Sequence, residues 1–202
     1  MTRPVMHGAQ FAKEYVNSYL QQDIPIRMIR YRNAWNVDDV QLPTPTSFFT
    51  YEPLAMDTWP TIITMAMSTT KFDRIGYDSD DPLYRVTYSM RTYIWVRSDH
   101  HAHVTLSRDR LTTVVRSALL DYPCLKALDE GNSFKVMIDE GTIREEFSDI
   151  TLLKGDRVLA GSYLSYDLSI DEVVTREPIG IASNIDTTVT SLPFLPPNND
   201  VH

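Results

Sequence analysis

Tyr84–Tyr122, YRVTYSMRTYIWVRSDHHAHVTLSRDRLTTVVRSALLDY, decides the fold. From Arg85 to Arg97, Val86, Tyr88, Met90, Ile94 and Val96 share one parity. Thr87, Ser89, Arg91, Tyr93, Trp95 and Arg97 share the other, which is the signature of a strand with one buried face. A polar break, Ser98–His103, follows. The period then changes, and Leu111, Val114, Val115, Ala118 and Leu119 recur at i, i+3, i+4, i+7 and i+8, an apolar stripe on a helix spanning Thr105 to Asp121. Strand and helix pack together, and other segments must complete their core.

Working outward, the amino-terminal side offers Ala12, Tyr15, Val16, Tyr19 and Leu20 on one helical face, with Phe11 at its edge, so a first helix is expected from Gly8 to Gln22. Asp23 and Pro25 are expected to end it, since proline lacks the donor and disfavours helical geometry in the residue before it. A strand is expected next, Ile26 to about Trp35, carrying the cluster Arg27, Arg30 and Arg32. Residues 37–57 hold Pro43, Pro45 and Pro53 and read as an ordered loop insertion. Its aromatics, Phe48, Phe49 and Tyr51, fit either a lid on the chain's own core or a contact surface for another subunit. Pro60 opens a strand, Thr61 to Thr69, followed by an acidic connection from Thr70 to Leu83 with Asp73, Asp78, Asp80 and Asp81.

On the carboxyl side, Phe134, Val136 and Ile138 alternate with polar positions in a short strand that Gly141 should end, and Ile150–Leu153 offers another. After a turn at Lys154, Gly155 and Asp156, the alternation of Val158, Ala160, Leu164, Tyr166, Leu168 and Ile170 predicts a second long strand. From Pro178 onward the composition shifts to Thr, Ser, Asn and Pro, with Ile179, Ile181, Ile185, Val189, Leu192, Phe194 and Leu195 scattered through it. This extended arm reads either as a segment that orders on a neighbour or as a disordered tail. The expected organisation is thus one α+β domain, residues 1–177, with a mostly antiparallel sheet flanked by two main helices, and a carboxyl-terminal arm, residues 178–202.

Composition narrows the function. The chain of 202 residues has 19 Lys+Arg against 27 Asp+Glu, a formal net charge of −8, which runs against phosphate-gripping, sequence-specific DNA binding. A single cysteine, Cys124, cannot form an internal disulfide; it follows Pro123 with no activating neighbour and reads as an inert thiol. The residues after Met1 lack the apolar core of a signal peptide, and no window approaches 18 consecutive apolar residues, so a cytosolic product that does not span a membrane is expected.

Catalytic signatures are absent: there is no G-x-S-x-G, G-x-x-x-x-G-K-[ST], H-E-x-x-H or G-x-G-x-x-G. His100, His101 and His103, with Asp99 nearby, have the spacing to share a metal ion, the basis for an alternative reading as a small metal-dependent hydrolase. A polar strand-to-helix connection capped by Thr105 or Ser107 explains the same residues. Asp78, Ser79, Asp80 and Asp81 begin like a calcium loop, but Pro82 and Leu83 break the pattern. Glu145, Glu146 and Asp149 lack an evident acid–base partner. No catalytic, cofactor or metal residue is assigned.

The order helix, strand, proline-rich loop, strand, acidic loop, long strand, helix, strands and polar arm resembles the tail terminator (tail completion) proteins of long-tailed bacteriophages. The resemblance rests on Trp59-Pro60-Thr61-Ile62-Ile63 before the first central strand, on Tyr84–Arg97, on the helix of Leu111–Leu120 and on the closing strand Val158–Ile170, over roughly residues 8–173. The 37–57 insertion and the arm exceed a compact member of that family. The resemblance implies a non-enzymatic structural virion protein: a hexameric ring that caps the tail tube and joins it to the head, assembled in the bacterial host cytoplasm. Its partners would be further copies of itself, the tail tube protein and the head-tail connector or stopper protein, with DNA passing through unread. A connector or stopper of the same neck is the close alternative. A net negative conduit would avoid retaining the DNA it passes.

The polar parity of the long strand supplies the candidate contact surface. Arg91, Tyr93, Trp95 and Arg97 are large for a face left to solvent, and Tyr, Trp and Arg are enriched at protein interfaces. With Tyr163 from the closing strand they form the expected subunit interface, to which Phe48, Phe49, Tyr51, Phe194 and Leu195 are the candidate additions.

Overall fold

The computed structural model describes residues 8–53, 58–78, 81–121, 136–147, 152–154 and 157–174. The elements run α1 (Gly8–Trp35), β1 (Ser47–Phe49), β2 (Thr61–Asp78), β3 (Asp81–Ser98), α2 (His101–Leu120), β4 (Val136–Phe147), β5 (Leu152–Lys154) and β6 (Arg157–Val173). The sheet order is β1-β2-β3-β6-β4, with β5 extending the β6 ladder beyond β4. Among the described residues the β1–β2 pairing is parallel and the others are antiparallel. The expected α+β class holds: a mostly antiparallel sheet with two helices, both packed on one face. Cys124, Phe134, Ile150 and the whole arm from Pro178, including Phe194 and Leu195, lie outside the described residues.

The alternation in Arg85–Arg97 determines which face the helices cover. Val86, Tyr88, Met90, Ile94 and Val96 are all buried, and Thr92 joins them on the same parity. They meet Leu164, Tyr166, Leu168 and Ile170 of β6, Ala12, Val16, Tyr19, Leu20, Ile24 and Met28 of α1, and Leu111, Val114, Val115, Ala118 and Leu119 of α2 in a single core. Each fully buried aliphatic side chain contributes about 1.5–3 kcal/mol.

Two buried polar contacts fix how the helices sit on one another and on the sheet. Tyr19 Oη donates to the Ala118 carbonyl at 2.9 Å, and the Thr112 and Ser162 hydroxyls lie 2.6 Å apart.

Several expectations are corrected. The first helix does not stop at Gln22, and Ile26–Trp35 is no strand: α1 runs 28 residues with Pro25 inside it. Its buried stripe continues through the proline as Leu20, Ile24, Arg27 and Met28. Burial of that stripe and the ion pairs of Arg27 offset the roughly 3 kcal/mol that an interior proline costs. The acidic connection is not a long loop either, because β2 and β3 form one hairpin whose ladder reaches Asp78↔Asp81. Register shifts at 66/68, 69/71 and 74/76 break the period-two pattern of β2, which is why the sequence shows no alternation there. Gly141 does not end β4, which runs to Phe147; an irregularity between Asp139 and Arg144 absorbs the glycine. Helix α2 begins at His101, not Thr105. The residue before it, His100, makes no side-chain cap bond, and Ser107 Oγ instead donates to the Gln41 carbonyl at 3.1 Å. Within 37–57 the only described regular element is the three-residue β1.

The buried phenols predict an alkaline limit. Tyr166 is 2% exposed, with its hydroxyl 3.0 Å from Thr92 Oγ1, and Tyr88 lies 3.1 Å from Glu172 Oε1. Burial raises both phenols above the ordinary value of about 10, and at Tyr88 the Glu172 carboxylate adds to the shift. The folded state keeps these protons where the unfolded chain has lost them. Their contribution is therefore complete below about pH 10 and is lost as pH rises through the folded pKa. Urea unfolding measured from about pH 9 to about pH 11.5 should be flat up to about pH 10 and then lose about 1.4 kcal/mol per pH unit for each phenol. Tyr166→Phe should flatten that slope by about one proton, and an unchanged slope would refute the assignment.

Candidate subunit interface

The face of the sheet opposite the helices is built by the second parity of β3 and β6. The register sets Trp95 opposite Gly161, Tyr93 opposite Tyr163, Arg91 opposite Ser165, Thr87 opposite Ser169 and Arg85 opposite Asp171. No described helix covers it, and its β3 and β6 side chains from Arg85 to Trp95 and from Tyr163 to Asp171 are half-buried against one another.

Cross-strand contacts make this face rigid. The Tyr93 and Tyr163 rings lie 5.4 Å apart at 47°, and the Arg91 guanidinium lies 4.9 Å from the Tyr163 ring centroid. Tyr163 Oη donates to Glu146 Oε2 of β4, which holds the phenol above its ordinary range. Arg85 binds Asp171 through two bonds, 2.7 and 3.1 Å, and Thr87 and Ser169 share a 2.9 Å hydroxyl contact. Trp95 lies flat against Gly161, where a Cβ would come 2.7 Å from its Cζ3. Side chains already ordered in this way lose little further rotamer freedom when a partner covers them.

Beside this cluster, toward β2, lies an apolar cleft of about 260 Å³ lined by Ile63, Met65, Met67, Tyr93, Trp95 and Glu52. Arg97 stands at the far end, on the wall of a second cleft of about 470 Å³ that it shares with Trp59, Val96, Asp99 and Ser107. Arg97 Nε and Trp59 Nε1 are both buried without a hydrogen-bond partner among the described residues.

Arg91, Tyr93, Trp95 and Tyr163 are thus brought together as the sequence suggested, with Arg97 at their margin. The loop aromatics divide. Phe48 packs on the core, which is the lid role, while Phe49 and Tyr51 pair at 5.4 Å with Tyr51 59% exposed. Sequence reasoning missed Gly161, Glu146 and the methionines of the cleft. The His100 and His103 rings are 5.5 Å apart at 72°, and among the described residues no three His, Cys, Asp or Glu side chains are placed to hold a metal. No described helix is long and apolar enough to cross a membrane. Neither the protein-family models nor the curated proteins compared with the chain give a match.

Proposed function

We propose that the protein is a structural subunit of a long-tailed bacteriophage virion, a tail terminator that caps the tail tube and joins it to the head connector as a ring around the DNA path. The observation that carries this reading is the face just described: one side of the sheet makes the core, and the other presents a rigid Arg–Tyr–Trp surface beside an apolar cleft. Interfaces are enriched in these side chains, and Tyr, Trp and Arg dominate their hot spots. The ring, hexameric by analogy, and the tail-tube and connector partners come from the resemblance over residues 8–173 alone, whose expected strand at Ile26–Trp35 and acidic loop are replaced by the longer α1 and the β2–β3 hairpin. The net charge of −8 suits a passage that must not hold DNA.

Light scattering and electron microscopy of the purified protein, alone and mixed with tail-tube subunits, test the proposal. A closed ring on its own, or one formed on the tube end, is the expected result. A chain that stays monomeric in both conditions would overturn it. Location of the subunit in the virion neck separates terminator from connector or stopper.

A further inference from the structure

Strand β2 has an unfilled edge. Strand β1 pairs it only at Thr61–Ile63, so from Thr64 to Asp78 its outer side has no strand partner among the described residues. That segment also carries four of the exposed large hydrophobic side chains: Met67 (48%), Phe72 (59%), Ile75 (41%) and Tyr77 (61%). Phe72 stands opposite Val86 and Tyr77 opposite Pro82, which places both on the helix side of the sheet, beyond the reach of α1. A long edge with exposed apolar side chains invites strand addition.

The sequence supplies a matching strand. From Ile179 to Val189, Ile179, Ile181, Ile185 and Val189 fall on one parity, with Ser183 and Thr187 between them. Gly180, Ala182, Asn184, Asp186 and Thr188 fall on the other, so the stretch has the period and the β-branched composition of a half-buried strand. Its position also fits. The described chain ends at Val174, whose N–H donates to the Pro82 carbonyl at 3.0 Å, so β6 finishes beside the hairpin tip. In the order β2-β3-β6 a strand added outside β2 would lie three ladder spacings from β6, about 14 Å. From Val174 to Ile179 the extended chain spans about 17 Å, enough to cross. A chain turning back there runs antiparallel to β2, and eleven extended residues, about 36 Å, would cover most of the free edge.

We propose that residues 179–189 add to the free edge of β2 in their own subunit as an antiparallel strand, with the isoleucine face beside Phe72 and Tyr77. The proposal stands on the edge and the chain's exit point, independently of the virion role. It leaves the proline-rich end, Pro193 onward, available for other contacts.

Hydrogen exchange by mass spectrometry tests it on three chains: the full protein, one ending at Pro178, and the full-length Ile181→Asp/Ile185→Asp variant, which keeps the test valid if truncation impairs folding. Amides of residues 64–78 should exchange at least about tenfold faster in both altered chains, with β3 and β6 unchanged. Equal exchange in all three chains would overturn the proposal. So would protection that appears only at concentrations where light scattering reports an oligomer, since the strand would then come from a second copy.

Discussion

Replacing Arg27 by alanine is expected to lower the free energy of unfolding by about 3 kcal/mol, read as a drop in the urea midpoint. Arg27 lies on the buried stripe of α1 with its side chain 11% exposed. Its Nε donates to Asp23 one turn earlier, Nη2 to Asp121 at 2.5 Å and Nη1 to Ser117 Oγ at 3.0 Å, so one guanidinium ties α1 to the end of α2. Burial alone would lower its pKa, but the hydrogen bonds to Asp23 and Asp121 outweigh burial and raise it above the ordinary arginine value. Truncation leaves Asp23, 20% exposed, without its cation, and opens space beside Tyr19. Asp121 is 47% exposed and is rehydrated at little cost, which keeps the loss at the lower end of the range for buried pairs. Arg27→Lys should recover less than half of it, because a point charge cannot reach three acceptors in fork geometry. A loss below about 1 kcal/mol for Arg27→Ala would show that the apolar stripe alone carries the helix past Pro25.

The second large effect is at Gly161. A Cβ there would lie 2.7 Å from Trp95 Cζ3 and 2.9 Å from Cε3 and Cη2, so even alanine displaces the indole, and valine must push it off the sheet. Overpacking of this kind costs about 1–3 kcal/mol. Because Trp95 also lines the cleft beside Ile63 and Met65, Gly161→Val should shift tryptophan emission and weaken subunit association together. The same substitution in a Trp95→Leu background should cost at least about 1 kcal/mol less, a coupling that isolates the contact. Additive losses would mean that the glycine serves the backbone instead of the ring.

How far the fold could be read from the sequence depended on whether one interaction dominated locally. Strands β3 and β6 were legible because each is a central strand with one buried face, so burial writes period two into the sequence without interruption. The stripe of α2 was legible for the same reason. The carboxyl half of α1 was not, because Pro25 is a strong local signal and the forces that overrule it, Ile24 and Met28 in the core and Arg27 bound to Asp121, come from residues far along the chain. The distal part of β2 was hidden for another reason: it lies beyond the helices, three irregularities shift its parity, and its side chains face water. At the candidate interface the sequence showed which large side chains point outward. It could not show that Tyr163 is held by Glu146, 17 residues away across the β4–β6 ladder, or that Trp95 needs Gly161, 66 residues away across the β3–β6 ladder, since both depend on strand register.

The central claim is that the outer face around Tyr93 and Tyr163 joins one subunit to the next. The most direct measurement is the mass in solution, by light scattering, of the Tyr93→Glu variant beside the unaltered protein. The account predicts an oligomer for the unaltered chain and a monomer for the variant, with the circular dichroism spectrum preserved because Tyr93 lies outside the core. A variant that assembles to the same mass as the unaltered chain would contradict it.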